Sequence, residues 1–209
     1  MLDLVLPLQC GGCGAPSTRW CAACAAALTV KAEDPHLVSP RVDPGVPVYS
    51  LGRYAGPRRA AVIAVKEHGR TDLLPALAGA LRAGLVHLLT WGLVDTPVTV
   101  VPAPTRRWSA RRRGGDPVTR MVRTAAADLP GVAVLPALRT RAFVADSVGL
   151  STAARQRNIG GRVRVARPVA GEVLVVDDII TTGATAAESV RVLHTVGARV
   201  AAVLVVANA

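Results

Sequence analysis

Residues 175–185 read Val-Val-Asp-Asp-Ile-Ile-Thr-Thr-Gly-Ala-Thr, and this stretch decides the fold class. An apolar run leads into two acids, and a turn rich in hydroxyls and glycine follows before a helical pattern begins. A strand that is apolar on both faces is typical of a parallel sheet covered by helices on both sides. The stretch therefore predicts an α/β protein in which a buried strand, a turn and a helix follow one another.

The rest of the chain alternates in the same way between short apolar runs and helical patterns. Asp116-Pro117, for example, has the form of an N-cap followed by a first-turn proline. Residues 139–167 show only weak periodicity. Helices are predicted over 57–69, 73–90, 116–128 and 184–196, and strands over 46–54, 98–101, 132–135, 173–178 and 200–206.

Composition excludes several classes of protein. The chain has 209 residues, of which 51% are hydrophobic and 19% charged, so it is too apolar to stay disordered and long enough for one large or two small domains. No run reaches the roughly 18 uninterrupted apolar residues of a membrane span. Residues 1–10 lack the basic start of a secretory signal. We therefore expect a cytoplasmic protein without a membrane span.

The net charge of +11 lies entirely in the central third of the chain. Residues 101–167 contain 14 arginines and three aspartates, whereas the remaining residues carry equal numbers of basic and acidic side chains. Such a concentrated cationic field attracts phosphates, pyrophosphates or nucleic acid, although a solvated basic surface is the other interpretation. Trp108 is the one aromatic residue in the arginine cluster, so nucleic-acid binding would depend on charge more than on base stacking.

Four cysteines form two Cys-x-x-Cys pairs that are separated by seven residues. Four thiolates suit tetrahedral Zn²⁺, and a closed set of four ligands predicts a structural site. The alternatives are two redox motifs or two disulfides, but a thioredoxin-like motif needs a βαβ unit that about 30 residues do not supply. We expect a zinc-binding module at 1–35, a Pro-rich linker at 36–45 and an α/β domain at 46–209, with the metal ligands Cys10, Cys13, Cys21 and Cys24.

The turn that follows the two acids offers phosphate-binding chemistry. Backbone N–H groups at the start of the next helix, together with its dipole, attract an anion, and the three threonines add hydroxyl donors. Gly183 lets the backbone approach an oxyanion without a Cβ in the way. Asp177 and Asp178 end the strand where open α/β sheets place their ligands, and they suit sugar hydroxyls or a hydrated Mg²⁺. The turn is not a Walker loop because it has no Gly-Lys-Ser/Thr.

Residues 174–185 resemble the ribose-5-phosphate-binding loop of type I phosphoribosyltransferases, with a hydrophobic strand, Asp-Asp, two aliphatic residues and Thr-Thr-Gly-x-Thr. With the amino-terminal cysteines, nearly the whole chain is similar to the ComF family, competence-associated phosphoribosyltransferase-like proteins that carry a zinc finger. The resemblance implies a type I phosphoribosyltransferase-like parallel sheet flanked by helices. It also implies that phosphoribosyl pyrophosphate binds with Mg²⁺, its ribose on the acids and its 5-phosphate on the turn, through Asp177, Asp178, Thr181, Thr182, Gly183, Ala184 and Thr185.

The resemblance covers three further segments. The Pro-Ala-Pro turn at 102–104 stands where type I enzymes have their pyrophosphate-binding loop, and a basic stretch follows it. Residues 66–69 and 150–158 match the family's Lys-x-x-Gly and Leu-Ser-x-x-x-Arg-x-x-Asn patterns. Residues 114–117 read Gly-Gly-Asp-Pro instead of the usual Gly-Phe-Asn-Gln, and Ser147 replaces a usual Gln. The implied pyrophosphate and basic-cluster ligands are Lys66, Pro102, Ala103, Pro104, Arg106, Arg107, Arg111, Arg112, Arg113, Arg155 and Asn158.

The function predicted from this resemblance is transfer of a phosphoribosyl group to an acceptor that the sequence does not identify, linked to competence or DNA uptake. An alternative is a non-catalytic competence factor that binds single-stranded DNA on the same fold. A third hypothesis is a regulator that senses phosphoribosyl pyrophosphate without turning it over. Affinity that requires Mg²⁺ and Asp177 would favour the first, and a steep salt dependence of DNA binding would favour the second.

Overall fold

The structure, a computed structural model, describes residues 8–104, 116–140 and 163–209. Short strands alternate along the chain with helices of two to five turns. The helices are α1 (Ala22–Leu28), α2 (Gly56–Glu67), α3 (Leu74–Thr90), α4 (Pro117–Ala126) and α5 (Ala184–His194), and a 3₁₀ turn at Thr71–Leu73 precedes α3. The strands are β1 (His36–Leu37), β2 (Val48–Ser50), β3 (Val98–Pro102), β4 (Val132–Val134), β5 (Leu138–Thr140), β6 (Val163–Val165), β7 (Glu172–Ile180) and β8 (Arg199–Asn208).

Six of these strands form one sheet in the spatial order β1-β2-β8-β7-β3-β4. β1 is antiparallel to β2, and every other neighbouring pair in the sheet is parallel. β7 lies at the centre and pairs with β3 on one side and β8 on the other. The two remaining described strands, β5 and β6, form a separate antiparallel pair.

Helices cover both faces of the sheet. On one face α2, α3 and α4 pack over Leu174 and Val176 of β7, and α1 joins this layer by packing against α2 and α3. On the other face α5 packs over Val173 and Val175. Because successive side chains of a strand point to opposite faces, a strand covered on both sides must be apolar throughout. The prediction of a mixed α/β fold with a largely parallel, helix-covered sheet is confirmed.

The predicted helix boundaries hold where the sequence carries capping signals. Asp116 caps α4, and its carboxylate accepts the N–H of Val118 at 3.1 Å while Pro117 occupies the first turn. α4 ends at Ala126, two residues before the predicted end, because Asp128 takes a positive φ of 59°. α5 likewise ends at His194, ahead of the left-handed Gly197.

Three strands of the structure were missed by the sequence analysis. β1 lies inside the segment predicted as a linker, and it joins the edge of the main sheet. β5 and β6 lie at the two ends of the weakly periodic segment 139–167. All three have two or three residues, which is too short for an apolar alternation to show. Their existence depends on a partner strand, which the local sequence does not reveal.

One helical stretch, Thr71–Thr90, is long and apolar enough to cross a membrane by length and composition alone. Half of its apolar window is buried inside the fold. The side chains of Leu77, Leu81, Leu85 and Leu88 belong to the core beneath the sheet. This burial is typical of the core helix of a globular domain, and the stretch does not show a membrane span.

Candidate functional site

The turn between β7 and α5 forms the candidate site, and we call residues 181–185 the Thr-Gly loop. β7 ends at Ile180 and α5 begins at Ala184, so three residues make the whole connection. Gly183 is the N-cap of α5 and has φ 86° and ψ −6°, a left-handed conformation that glycine adopts without strain. The turn thereby presents the amino end of α5 at the carboxyl edge of the sheet.

A small, open pocket lies between this loop and the end of β7. All five residues of the Thr-Gly loop line it, and the side chains of its three threonines are exposed. Asp177 and Val205 complete the wall from the sheet side. The structure therefore brings together six of the seven predicted loop ligands, which are Asp177, Thr181, Thr182, Gly183, Ala184 and Thr185.

Asp178, the seventh, lies on the other side of β7. Its two carboxylate oxygens are 2.8 and 2.7 Å from Nζ of Lys66 on α2, and the N–H of Ile179 donates to Oδ1 at 2.7 Å. Asp178 is buried, and with Lys66 it borders a small, mostly apolar cleft between α2, α3 and α4. Adjacent strand residues point to opposite faces of the sheet. Asp177 therefore faces the Thr-Gly loop, and Asp178 faces Lys66.

The electrostatics of the two acids differ accordingly. Burial raises the pKa of Asp177 well above its usual range, and the nearby charge of Asp178 raises it further against the opposing effect of Lys66. Burial lowers the pKa of Lys66, but the carboxylates of Asp178 and Asp177 more than offset this, so its pKa is raised. Asp178 is thus paired with the ammonium group of Lys66, whereas the other described residues that line the pocket of Asp177 are uncharged.

The Pro-Ala-Pro turn predicted for pyrophosphate lies at the same edge of the sheet. Pro102 ends β3 in register with Val176, and the N–H of Ala103 donates to the Val176 carbonyl at 2.8 Å. Pro102 and Ala103 are buried, and Pro104 is half-buried. β3 therefore ends beside Val176, one residue short of the position of Asp177 on the neighbouring β7. The other predicted basic-cluster ligands, Arg106, Arg107, Arg111, Arg112, Arg113, Arg155 and Asn158, lie outside the described residues.

The four cysteines converge at the amino terminus, in what we call the cysteine module (residues 8–28). Their sulfur atoms all lie within 4.8 Å of one another, and Sγ of Cys13 and Cys21 are 3.6 Å apart. None of the four is in a disulfide. Zn–S bonds of about 2.3 Å in a tetrahedron place the sulfurs about 3.8 Å apart, so this donor set fits zinc. The residues that could hold the metal are those predicted, Cys10, Cys13, Cys21 and Cys24.

The backbone of the cysteine module is shaped for thiolate ligands. Burial raises the pKa of Cys10, but the backbone N–H groups of Cys13, Cys21 and Gly12 outweigh burial and lower it to about 6. The N–H of Cys21 lies 3.4 Å from the Cys10 sulfur. A Cβ on Gly12 would lie 2.6 Å from Sγ of Cys24, so only glycine fits there. The thiolate is the metal-binding form, and these N–H groups favour it at Cys10, whereas burial and the neighbouring thiols raise the pKa of Cys24.

One neighbour of the Thr-Gly loop was missed by the sequence analysis. Residues 38–47, which we call the strap, cross the loop on the side of Gly183. The Val42 N–H donates to the Thr182 carbonyl at 2.8 Å. Most of the strap lies in the segment predicted as a linker. Its prolines gave a signal for irregular backbone, but nothing in the local sequence showed which part of the fold it would contact.

In comparison with known proteins, the chain matches no protein-family model and no curated protein. The resemblance of residues 174–185 to a phosphoribosyltransferase loop therefore stays a prediction. Function is inferred below from the geometry of the pocket and from the chemistry of the groups that line it.

Proposed function

We propose that this protein is a ComF-type, type I phosphoribosyltransferase-like protein that binds phosphoribosyl pyrophosphate with Mg²⁺ and transfers its phosphoribosyl group to an acceptor. The observation that carries the proposal is the pocket shared by Asp177 and the Thr-Gly loop. A sugar phosphate requires a hydroxyl acceptor and an anion cradle within one small volume. The carboxylate supplies the first, and the loop with the amino end of α5 supplies the second.

The 5-phosphate is assigned to the Thr-Gly loop. The first N–H groups of a helix have no partner within the helix, and those of α5 begin at the pocket wall. The helix dipole favours a negative charge at this end, and α5 is 11 residues long. The exposed hydroxyls of Thr181, Thr182 and Thr185 add donors that reorient to fit the phosphate oxygens.

The ribose is assigned to Asp177, which accepts hydrogen bonds from its hydroxyls. Two ionised carboxylates at this edge would repel a polyanionic substrate. Lys66 removes one of these charges by pairing with both oxygens of Asp178. In this proposal Lys66 acts on the substrate through Asp178, which is a different route from the direct pyrophosphate contact that the family resemblance implies.

The reaction needs positioning more than covalent participation by the protein. The acceptor's nucleophile forms a bond to C1 of the ribose, the bond from C1 to the pyrophosphate oxygen breaks, and pyrophosphate leaves with the electron pair while the acceptor releases its proton to water. Mg²⁺ bound with the substrate would neutralise charge on the departing pyrophosphate. The Thr-Gly loop and Asp177 fix the two ends of the ribose phosphate so that C1 faces the acceptor.

Calorimetric titration with phosphoribosyl pyrophosphate and Mg²⁺ tests the proposal on the wild type, Asp177→Asn and Thr181→Val. We expect affinity to fall about 10- to 100-fold for Asp177→Asn, which replaces a carboxyl oxygen by an amide NH₂ that cannot accept, and about tenfold for Thr181→Val. Thr195→Val is the matched control, since Thr195 lies just beyond the far end of α5 and its hydroxyl donates to the Val192 carbonyl at 2.8 Å. This variant should bind like the wild type.

Two outcomes contradict the proposal. One is a wild type that binds no phosphoribosyl pyrophosphate, and the other is an Asp177→Asn variant that binds it as tightly as the wild type. A parallel titration with single-stranded oligonucleotide at several salt concentrations separates the competing function. Oligonucleotide binding without any phosphoribosyl pyrophosphate binding would support the non-catalytic DNA-binding factor instead.

A further inference from the structure

The strap makes two kinds of contact with the Thr-Gly loop. The Val42 N–H donates to the carbonyl of Thr182 at 2.8 Å. At the next residue, a Cβ added to Gly183 would lie 2.4 Å from the Val42 carbonyl oxygen and 2.8 Å from Cβ of Pro40. The space beside Gly183 is therefore filled by strap atoms. Glycine is needed there for this contact as well as for its positive φ.

The strap is anchored to the fold at both ends. On its amino side, the N–H of Val38 donates to the Val48 carbonyl of β2 at 2.8 Å, and on its carboxyl side the Pro47 carbonyl accepts the N–H of Val203 on β8 at 2.9 Å. Just before the strap, the buried Asp34 accepts the N–H of Lys31 at 2.8 Å and pairs with His36 at 2.8 Å. The Asp34 carbonyl also lies 2.6 Å from Nδ1 of His87 on α3. A segment held in this way can restrain what it touches.

The Thr-Gly loop has little side-chain support of its own. Gly183 has no side chain with which to cap α5, and the contact from the Ala184 N–H to Thr182 Oγ1 is long at 3.4 Å. The threonine side chains are exposed toward the pocket. An anion bound by backbone N–H groups needs those groups fixed beforehand, because ordering them on binding costs affinity. The strap supplies that restraint from the side of Gly183.

We propose that the strap is a positioning element of the phosphate site, in which Val42 through its N–H and Pro40 through packing hold the Thr-Gly loop in its ligand-binding conformation. This inference rests on the proposed function. Neither residue is among the described residues that line the pocket, so both act through Thr182 and Gly183. The segment that the sequence presents as a linker is in this view part of the binding site's support.

The first test compares Val42→Pro, which removes the N–H donor, with Val42→Ala, which keeps it. The probe is ribose 5-phosphate, titrated by calorimetry at a temperature where circular dichroism shows each variant folded. We expect Val42→Ala to bind like the wild type. Val42→Pro should bind about tenfold more weakly, because it loses one hydrogen bond that orders the Thr-Gly loop before the ligand binds. Equal affinities for the two variants would overturn the inference.

Hydrogen exchange gives a second readout that does not depend on affinity. In Val42→Pro the amide of Ala187, which donates to the Gly183 carbonyl at 2.9 Å, should exchange faster than in Val42→Ala, while the amides of β7 and β8 stay unchanged. Saturating ribose 5-phosphate should restore slow exchange in both variants, because the ligand then orders the loop itself. Unchanged exchange of the Ala187 amide in Val42→Pro, or faster exchange spread over the whole sheet, would show that the strap does not position the loop.

A second pair of variants keeps the inference testable if Val42→Pro does not fold. Pro40→Gly removes the Cβ that contacts Gly183, whereas Pro40→Ala retains it. Pro40→Gly should weaken ribose 5-phosphate binding severalfold relative to Pro40→Ala, and equal binding would count against the strap. A wild type that binds no ribose 5-phosphate would overturn the proposed function itself, so the two failures are distinguishable.

Discussion

The cysteine module and the Thr-Gly loop reach their geometry by different routes. The module's four sulfur ligands come from 15 consecutive residues, and its turns close on themselves through bonds such as Gly14 N–H to Cys10 carbonyl at 2.9 Å. The Thr-Gly loop is also a short stretch. Its surroundings, however, come from β8 and from the strap.

This difference separates two kinds of site. In the cysteine module the atoms that could bind a metal would also form the structural cross-link, so metal binding and folding would depend on the same residues. At the Thr-Gly loop the ligand-facing groups contribute little to packing, and residues elsewhere in the chain hold them in place. Removing a cysteine from the module should therefore disturb its structure first. At the end of β7, removing a group on the pocket side should weaken ligand binding, whereas removing a group on the Lys66 side should lower stability.

The largest expected effect is the loss of metal from Cys24→Ser. Wild-type protein purified without chelator should contain about one zinc atom per chain by elemental analysis, and the variant should contain almost none. Metal binding in small structural sites contributes on the order of 10 kcal/mol, so residues 8–28 should become sensitive to limited proteolysis. Wild type treated with chelator should show the same cleavage pattern. Full zinc content in Cys24→Ser would contradict the four-thiolate site.

A smaller effect is expected for Asp178→Asn, which leaves the ammonium of Lys66 partly buried without its carboxylate. We expect the free energy of unfolding in urea to fall by about 2 kcal/mol, below the full penalty for a buried pair because the Lys66 side chain is 31% exposed. The matched control is Asp177→Asn at the adjacent position, which should not be destabilised. Equal losses in both variants would show that the two acids are not divided between the faces of β7.

The smallest effect is the pH dependence that Asp177 contributes. Its pKa is raised by burial, so the native state holds the proton more tightly than the unfolded chain, where the value is near 3.8. The contribution of Asp177 to stability is therefore greatest below that value and decreases as pH rises through the raised pKa. At pH 7, Asp177→Asn should be more stable than the wild type by about 1 kcal/mol, a gain typical of relaxing a functional site.

The check on this last prediction is the difference in unfolding free energy between wild type and Asp177→Asn, measured from pH 4 to 8. This difference should grow with pH. A difference that stays constant over the range would mean that Asp177 keeps an ordinary pKa in the folded protein. Loss of ribose 5-phosphate binding together with a gain in stability would mark Asp177 as a residue kept for its ligand.

Much of the architecture was predictable because its signals are local. The apolar run of β7, the leucine spacing of α3 and the Asp-Pro start of α4 each specify an element within one short window. The cysteine spacing likewise specified the four converging thiols. By contrast, β1 forms because it pairs with β2 at the edge of the sheet. The sequence around β1 gives no sign of that partner.

The sequence by itself determined the kinds of group at each site: four cysteine thiols, two adjacent acids, and a hydroxyl-rich turn before a helix. Only the tertiary structure decided which neighbours these groups have. Asp177 lines the pocket of the Thr-Gly loop, Asp178 pairs with Lys66, and the strap lies beside Gly183. The physical reason is the distance along the chain over which each kind of interaction acts. Helix periodicity, capping and strand alternation act over a few residues, whereas the neighbours of a loop at a sheet edge are set by strand order and helix packing across the whole chain.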